Sequence, residues 1–219
     1  MGYNIAIDGP AGAGKSTIAK QVAKKKGFIY VDTGAMYRGL ALHFIRQGIQ
    51  PEEREKIAFA CQDVVIRIGY EDGIQQVYLN GDNVTSRLRE EAVGNMASKS
   101  SAIPEVREKL LELQRNLAKE EDVVMDGRDI GTHVLPDADV KVYLTASVAT
   151  RAKRRFAELT AKGEECDFDI IAADIAERDA RDMNREIAPL KQAEDAVLID
   201  SSDMTIEEVT DAILALCGR

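Results

Sequence analysis

The chain has 219 residues, 45% hydrophobic and 31% charged, enough for one α/β domain with insertions around a sizeable core. Its formal charge of −9 argues against general binding of polymeric nucleic acid, which needs a basic face to neutralise phosphates. Cys61, Cys166 and Cys217 are far apart, odd in number and without metal-ligand spacing, so a reducing cytoplasm is the expected compartment. No apolar stretch approaches the ~18 residues of a membrane span. The chain enters a strand almost at once, so neither a membrane segment nor a signal peptide is expected.

Ile5-Ala6-Ile7 is an apolar strand that stops at a glycine-rich loop, Asp8-Gly9-Pro10-Ala11-Gly12-Ala13-Gly14-Lys15-Ser16-Thr17. Gly9 through Ser16 match G-x-x-x-x-G-K-[ST] at every fixed position, and a helical pattern (Ile18, Ala19, Val22, Ala23) follows immediately. Glycines let the backbone curl and point N–H groups at a phosphate tail, and the positive end of the new helix adds to that field. Lys15 suits the β/γ oxygens, and the Ser16 hydroxyl suits Mg²⁺. The loop reads as a purine-nucleotide site, by preference for ATP, formed by Gly9, Pro10, Ala11, Gly12, Ala13, Gly14, Lys15, Ser16 and Thr17.

The first helix is expected from Gly14 to Lys25, and Phe28–Val31 as a second strand ending at Asp32-Thr33-Gly34. Thr33 is placed to cap the following helix (Met36, Leu40, Leu42, Phe44), so Asp32 through Arg38 spans a strand end and a helix start. In an open parallel sheet that edge binds ligands. Residues 51–62 look helical with Pro51 at the start. The period then changes: strands at 63–68 and 76–79, turns at Glu71-Asp72-Gly73 and Asn80-Gly81, and a start of a third strand at 82–84. This reads as a small antiparallel insertion over a substrate. Thr85 or Ser86 is expected to cap a helix over about 86–100, and Pro104 to open the next.

Val123-Val124-Met125-Asp126 is an apolar strand ending in a carboxylate, and either Asp126 or Asp32 suits the metal-side position of a phosphate-loop site. Arg128 and Asp129 lie just beyond that strand. Val140–Leu144 is a further, central strand. Arg151, Arg154 and Arg155 share one helical face, and Arg178, Arg181 and Arg185 form a stripe on another, with a glycine-containing polar tip at 160–168 between them. Two arginine-bearing helices joined by such a tip make a lid that closes on phosphates. Ala196–Asp200 is the last strand and 205–216 the closing amphipathic helix. Strands alternating with helices predict a parallel sheet with right-handed crossovers. His43 and His133 are isolated, so the acceptor is expected to be already nucleophilic, such as a phosphate oxygen.

The sequence resembles the bacterial cytidylate kinases over nearly its whole length. The resemblance lies in Ile7–Thr17, Asp32-Thr33-Gly34-Ala35-Met36-Tyr37-Arg38, Asp126-Gly127-Arg128-Asp129-Ile130-Gly131-Thr132 and Glu177–Arg185. It implies an α/β P-loop nucleoside monophosphate kinase fold: a five-stranded parallel sheet flanked by helices, an antiparallel insertion and a helical LID. The implied parts are a CORE (about 1–62, 86–150 and 186–219), a CMP-side insertion (about 63–85) and a LID (about 151–185). It implies that ATP and CMP or dCMP give ADP and CDP or dCDP with Mg²⁺, in a cytoplasmic monomer. By position, Thr33 would hold the CMP side, Arg38 and Arg128 the CMP phosphate, and Ser98, Arg107 and Asp129 the cytosine edge. Asp182 and Arg185 would contact the sugar and Arg178 the transferring phosphates, with Arg154 or Arg155 entering from the LID. A kinase for another small acceptor is the competing reading, which the insertion and the CMP-side residues oppose. A guanine-nucleotide switch would need an Asn/Thr-Lys-x-Asp after a strand, and none is found.

Overall fold

The computed structural model describes residues 2–218. Strands β1 (Asn4–Asp8), β2 (Ile29–Asp32), β6 (Val123–Gly127), β7 (Val140–Thr145) and β8 (Val197–Asp200) form one parallel sheet in the order β2-β6-β1-β7-β8. The phosphate-loop strand is therefore the middle one, and Val140–Thr145 lies inside the sheet beside it. Alternation in β1 explains the two cores. Ile5 and Ile7 face α1 (Lys15–Lys26) and α8 (Ile206–Leu216), in a cluster with Val22, Leu144 and Ile213. Ala6 faces the opposite side, where α2 (Thr33–Arg46), α3 (Arg54–Asp63), α4 (Glu91–Ser100) and α5 (Pro104–Glu120) pack around Met36, Phe44, Leu110 and Met125.

The insertion is a second sheet, β3 (Ile66–Glu71), β4 (Ile74–Leu79) and β5 (Asp82–Asn83), antiparallel throughout. Asn80 and Gly81 both sit at positive φ (50° and 95°), the geometry an Asn-Gly hairpin turn requires. The unit covers the edge strand β2. The Gln75 amide accepts from Asp32 N at 2.8 Å and donates to Asp32 O at 3.1 Å, so one side chain replaces a missing neighbouring strand. Tyr70 Oη donates to Tyr30 O at 3.2 Å.

Three local expectations are corrected. Pro51 and Glu52 form a turn, and the helix starts at Arg54. Thr85 caps no helix: its hydroxyl accepts from Val77 N at 2.9 Å, closing the edge of β4, and α4 begins only at Glu91. Thr33 is the first residue of α2 and Asp32 is the cap, accepting from Ala35 N at 2.8 Å.

Helices α6 (Val148–Ala161) and α7 (Phe168–Asn184) carry a small core of their own, Ala152, Ile171 and Ile175 with Phe156 and Phe168 packed against it. Among the described residues no helix is long and apolar enough to cross a membrane.

Candidate active site

The sheet register sets Asp126 level with Asp32 and places Asp8 one residue further along the neighbouring strand. Asp126 pairs with Ile7 on one side and Asp32 on the other, while Asp8 lies opposite Gly127. All three lie where the parallel strands end, beneath the loops.

The phosphate loop rises from Asp8. Gly9 has φ 150°, and a Cβ there would lie 1.9 Å from the Leu144 carbonyl oxygen, so only glycine passes this point. Pro10, Ala11, Gly12 and Ala13 continue the loop, Gly14 turns at φ 89°, and Lys15, Ser16 and Thr17 form the first turn of α1. Lys15 is buried, and its ammonium donates to Pro10 O at 2.7 Å. Burial first, then the charge of Arg128, pulls its pKa down to about 7, against the attraction of Asp126 and Asp8.

Of the two carboxylates weighed for the metal side, Asp126 is the one joined to the loop. The Ser16 hydroxyl donates to Asp126 Oδ2 at 3.0 Å and the Tyr30 hydroxyl to Oδ1 at 2.8 Å. Burial, then the neighbouring Asp32, raises the Asp126 pKa. Asp32 is occupied instead by the α2 cap and by Arg38, at 3.2 Å. Tyr30→Phe removes one donor from a buried carboxylate, an expected loss of about 1.5–3 kcal/mol. Thermal melting checks this, with a fall of several degrees expected in a chain of this size.

The acceptor side forms around the loop after β6. Asp129 is buried, with one oxygen on Arg107 Nη2 and the other accepting from Arg185 Nη2 at 3.1 Å. Arg107 also donates to Ser101 O at 3.3 Å, and its guanidinium lies 5.8 Å from the Tyr37 ring centroid. The Nε atoms of Arg38 and Arg107 are buried without a partner among the described residues. Arg128 donates to Asp182 at 2.9 Å. The Thr33 hydroxyl is buried and donates to Asp126 O at 2.8 Å. The Ser98 hydroxyl accepts from Arg181 at 3.2 Å.

Arg178 makes no hydrogen bond or ion pair among the described residues; it is surrounded by protein but open to solvent on one side. Partial burial, then the charge of Arg128, holds it below the usual arginine pKa, with Asp182 opposing. Arg38 and Arg181 add to the same positive field.

The first lid cluster divides three ways. Arg151 is buried, forked onto Asp179 at 3.0 and 2.6 Å, and donates to Ala11 O of the phosphate loop at 3.0 Å. Arg154 donates to Ser201 O at 2.7 Å. Arg155 pairs with Glu158 at 2.9 Å on an exposed face, so it is not among the side chains gathered at the loop. Arg154 borders a cleft of about 300 Å³ beside the phosphate loop, with Gly14, Thr17, Ser201 and Met204. The like charges on α6 are thus compensated by Asp179, by a backbone carbonyl and by Glu158.

Sequence reasoning missed Asp8, Tyr30, Asp179 and Ser201. A signal existed for Asp8, because a carboxylate directly after Ile5-Ala6-Ile7 is a charge at a buried position. Asp179 and Ser201 carried none, because their partners are 28 and 47 residues away in the chain.

A middle strand feeding a phosphate loop, a carboxylate on the next strand and a ring of guanidinium groups define a P-loop phosphotransferase. A family model described as cytidylate kinase matches residues 5–219, and the chain belongs to the cytidylate kinase family. It is 53% identical over 213 residues to the cytidylate kinase of Caldicellulosiruptor saccharolyticus, covering 97% of this chain and 94% of the relative. With that of Geobacter sulfurreducens it shares 49% over 210 residues, covering 96% and 90%. A crystal structure of an uncharacterized protein from Eubacterium ventriosum has the same fold, with a TM-score of 0.53, 14% identity and 99% coverage of both chains.

Proposed function

We propose that this protein transfers the γ-phosphoryl group of ATP to CMP or dCMP, giving CDP or dCDP and ADP in pyrimidine nucleotide metabolism. The observation that carries this reading is the positive field of Arg38, Arg128 and Arg178 beside the buried Arg107–Asp129–Arg185 cluster. The first group answers a phosphate acceptor, the second a base with both donors and acceptors. The names of the relatives, cytidylate kinase, support the same substrate.

The γ-phosphate of ATP would rest on the loop Gly9–Thr17 with Lys15 at its oxygens, and the adenine in the cleft under Arg154. Ser16 and Asp126 offer only hard oxygen donors, which fits Mg²⁺; bound there with ATP, it would neutralise phosphate charge. Arg38 and Arg128 would grip the CMP phosphate, and its oxygen would form the new bond to the γ-phosphorus as the bond to the ADP oxygen breaks. A phosphate loses its second proton near pH ~6, so the nucleophile needs no general base. Catalysis is then positioning plus cations on the moving group, supplied by Lys15, Arg128 and Arg178. Asp129 would accept from the cytosine amino group, Arg107 and Ser98 would donate to its acceptors, and Asp182 and Arg185 would hold the sugar. Ser98 would first exchange its bond to Arg181. Thr33 would line the CMP side through its remaining lone pair.

In this reading the CORE is about 1–62, 86–150 and 186–219, the CMP-side insertion about 63–85 and the LID about 151–185. The protein would work as a cytoplasmic monomer. A coupled assay of ADP release with CMP, dCMP, UMP and AMP tests the assignment. Turnover of CMP and dCMP is expected to exceed that of AMP by at least about 100-fold, the discrimination a hydrogen-bonding base pocket supports. Turnover of AMP above that of CMP would overturn it.

A further inference from the structure

Asp8 ends β1 and is buried, one residue before the phosphate loop. Each of its oxygens takes one backbone N–H from the far side of the site: Oδ1 from Ile130 at 2.8 Å and Oδ2 from Gly131 at 2.7 Å. Those amides open the π-helical turn Ile130–Val134 and directly follow Arg128 and Asp129. The β1–β6 ladder ends at the Asp8–Gly127 pair, so beyond it no sheet bond holds the loop to the phosphate-loop strand. One carboxylate takes over where the ladder stops.

The position is not a neutral one. Burial pushes the Asp8 carboxyl up to about 6, while the two N–H groups hold it down; the charge of Asp129 adds to the rise and that of Lys15 opposes it. A carboxylate costs free energy in such a place unless something is gained by holding those two amides. An apolar residue would leave the Ile130 and Gly131 amides buried without an acceptor.

We propose that Asp8 is a positioning residue for the acceptor half of the reaction. Through the Ile130 and Gly131 amides it sets where Arg128 and Asp129 stand relative to the phosphate loop. Its role is exerted through those two amides and needs no contact with a nucleotide. The inference rests on the acceptor-site reading given under Proposed function, in which Arg128 and Asp129 contact CMP.

Asp8→Asn is nearly the same shape but turns one acceptor into an NH₂ group facing a backbone N–H, so one of the two bonds is lost. The expected result is a rise of about 10-fold or more in the KM for CMP, by analogy with the loss of a supporting hydrogen bond behind a metal ligand. The KM for ATP should rise much less than the KM for CMP, because Lys15 keeps its bond to Pro10 O and Asp8 reaches it only through charge. An unchanged CMP KM, or a rise in ATP KM of the same size, would overturn the inference. Asp8→Ser, which also removes the buried charge, is read the same way if the asparagine variant does not fold. Hydrogen exchange on the unaltered protein supplies a third reading: protected Ile130 and Gly131 amides are expected, and fast exchange there sinks the idea. Arg128→Ala is measured alongside. If Arg128→Ala leaves the CMP KM untouched, the acceptor-site reading fails; if it raises that KM while the Asp8 variants do not, only the role of Asp8 fails.

Discussion

Lys15→Ala is expected to lower the rate of ADP formation by about 10³-fold, as removal of a cation aimed at a transferring phosphoryl group does. The ammonium is already held inside the loop, on Pro10 O at 2.7 Å. The free protein holds it at a cost, since burial and Arg128 depress its pKa to about 7. A nucleotide phosphate would reverse that balance by supplying the negative charge that is missing. Removing Lys15 relieves one unfavourable burial but takes a counter-charge from Asp126 and Asp8. These effects oppose each other, so melting temperature is expected to move far less than activity. Steady-state turnover with saturating ATP and CMP, beside a melting curve, checks both halves. Activity within about 10-fold of the unaltered protein would remove Lys15 from the transfer step.

Asp129→Asn is expected to collapse the preference for CMP over UMP. A carboxylate accepts only; it suits the cytosine amino group and repels the carbonyl oxygen that uracil carries in its place. An asparagine amide can present either face, so it can donate to that carbonyl. The loss should be about 100-fold or more in the ratio of kcat/KM values, because a buried group built for one hydrogen bond rejects the wrong partner strongly. Stability falls too. Asp129 is the shared counter-charge of Arg107 and Arg185, and breaking a buried pair costs about 3–5 kcal/mol. Assays therefore run well below the new melting temperature. The ATP KM should be unaffected, and an unchanged CMP/UMP ratio would mean that Asp129 does not read the base.

These two residues show how unevenly the site could be read. Lys15 lies in a continuous pattern with its strand, glycines and helix, and its bond to Pro10 O is made within that loop. Its geometry follows from backbone rules that act over a few residues, such as the left-handed turn at Gly14 (φ 89°) that opens α1. Asp129 was placed by resemblance and by its position past a strand end, whereas the pairing that braces it joins residues 22 and 56 positions away. No periodicity encodes such distances. The same holds for the lid. The spacing of Arg151, Arg154 and Arg155 was visible, but which of them meets the phosphate loop was not, because α7 and the loop after β8 choose among them through Asp179 and Ser201.

Short-range chemistry is why the alternation of strands and helices, the phosphate loop and the Asn80-Gly81 hairpin were legible in one dimension: each is decided by sterics and hydrogen bonds between near neighbours. The strand order, the bond from Ser16 to Asp126 rather than to Asp32, the Gln75 clasp on β2 and the Asp8 carboxylate bridging to Ile130 and Gly131 belong to the folded chain alone. They are fixed when the parallel sheet sets distant strand ends level with one another. Buried polar groups then take whichever partners the packing has brought within reach.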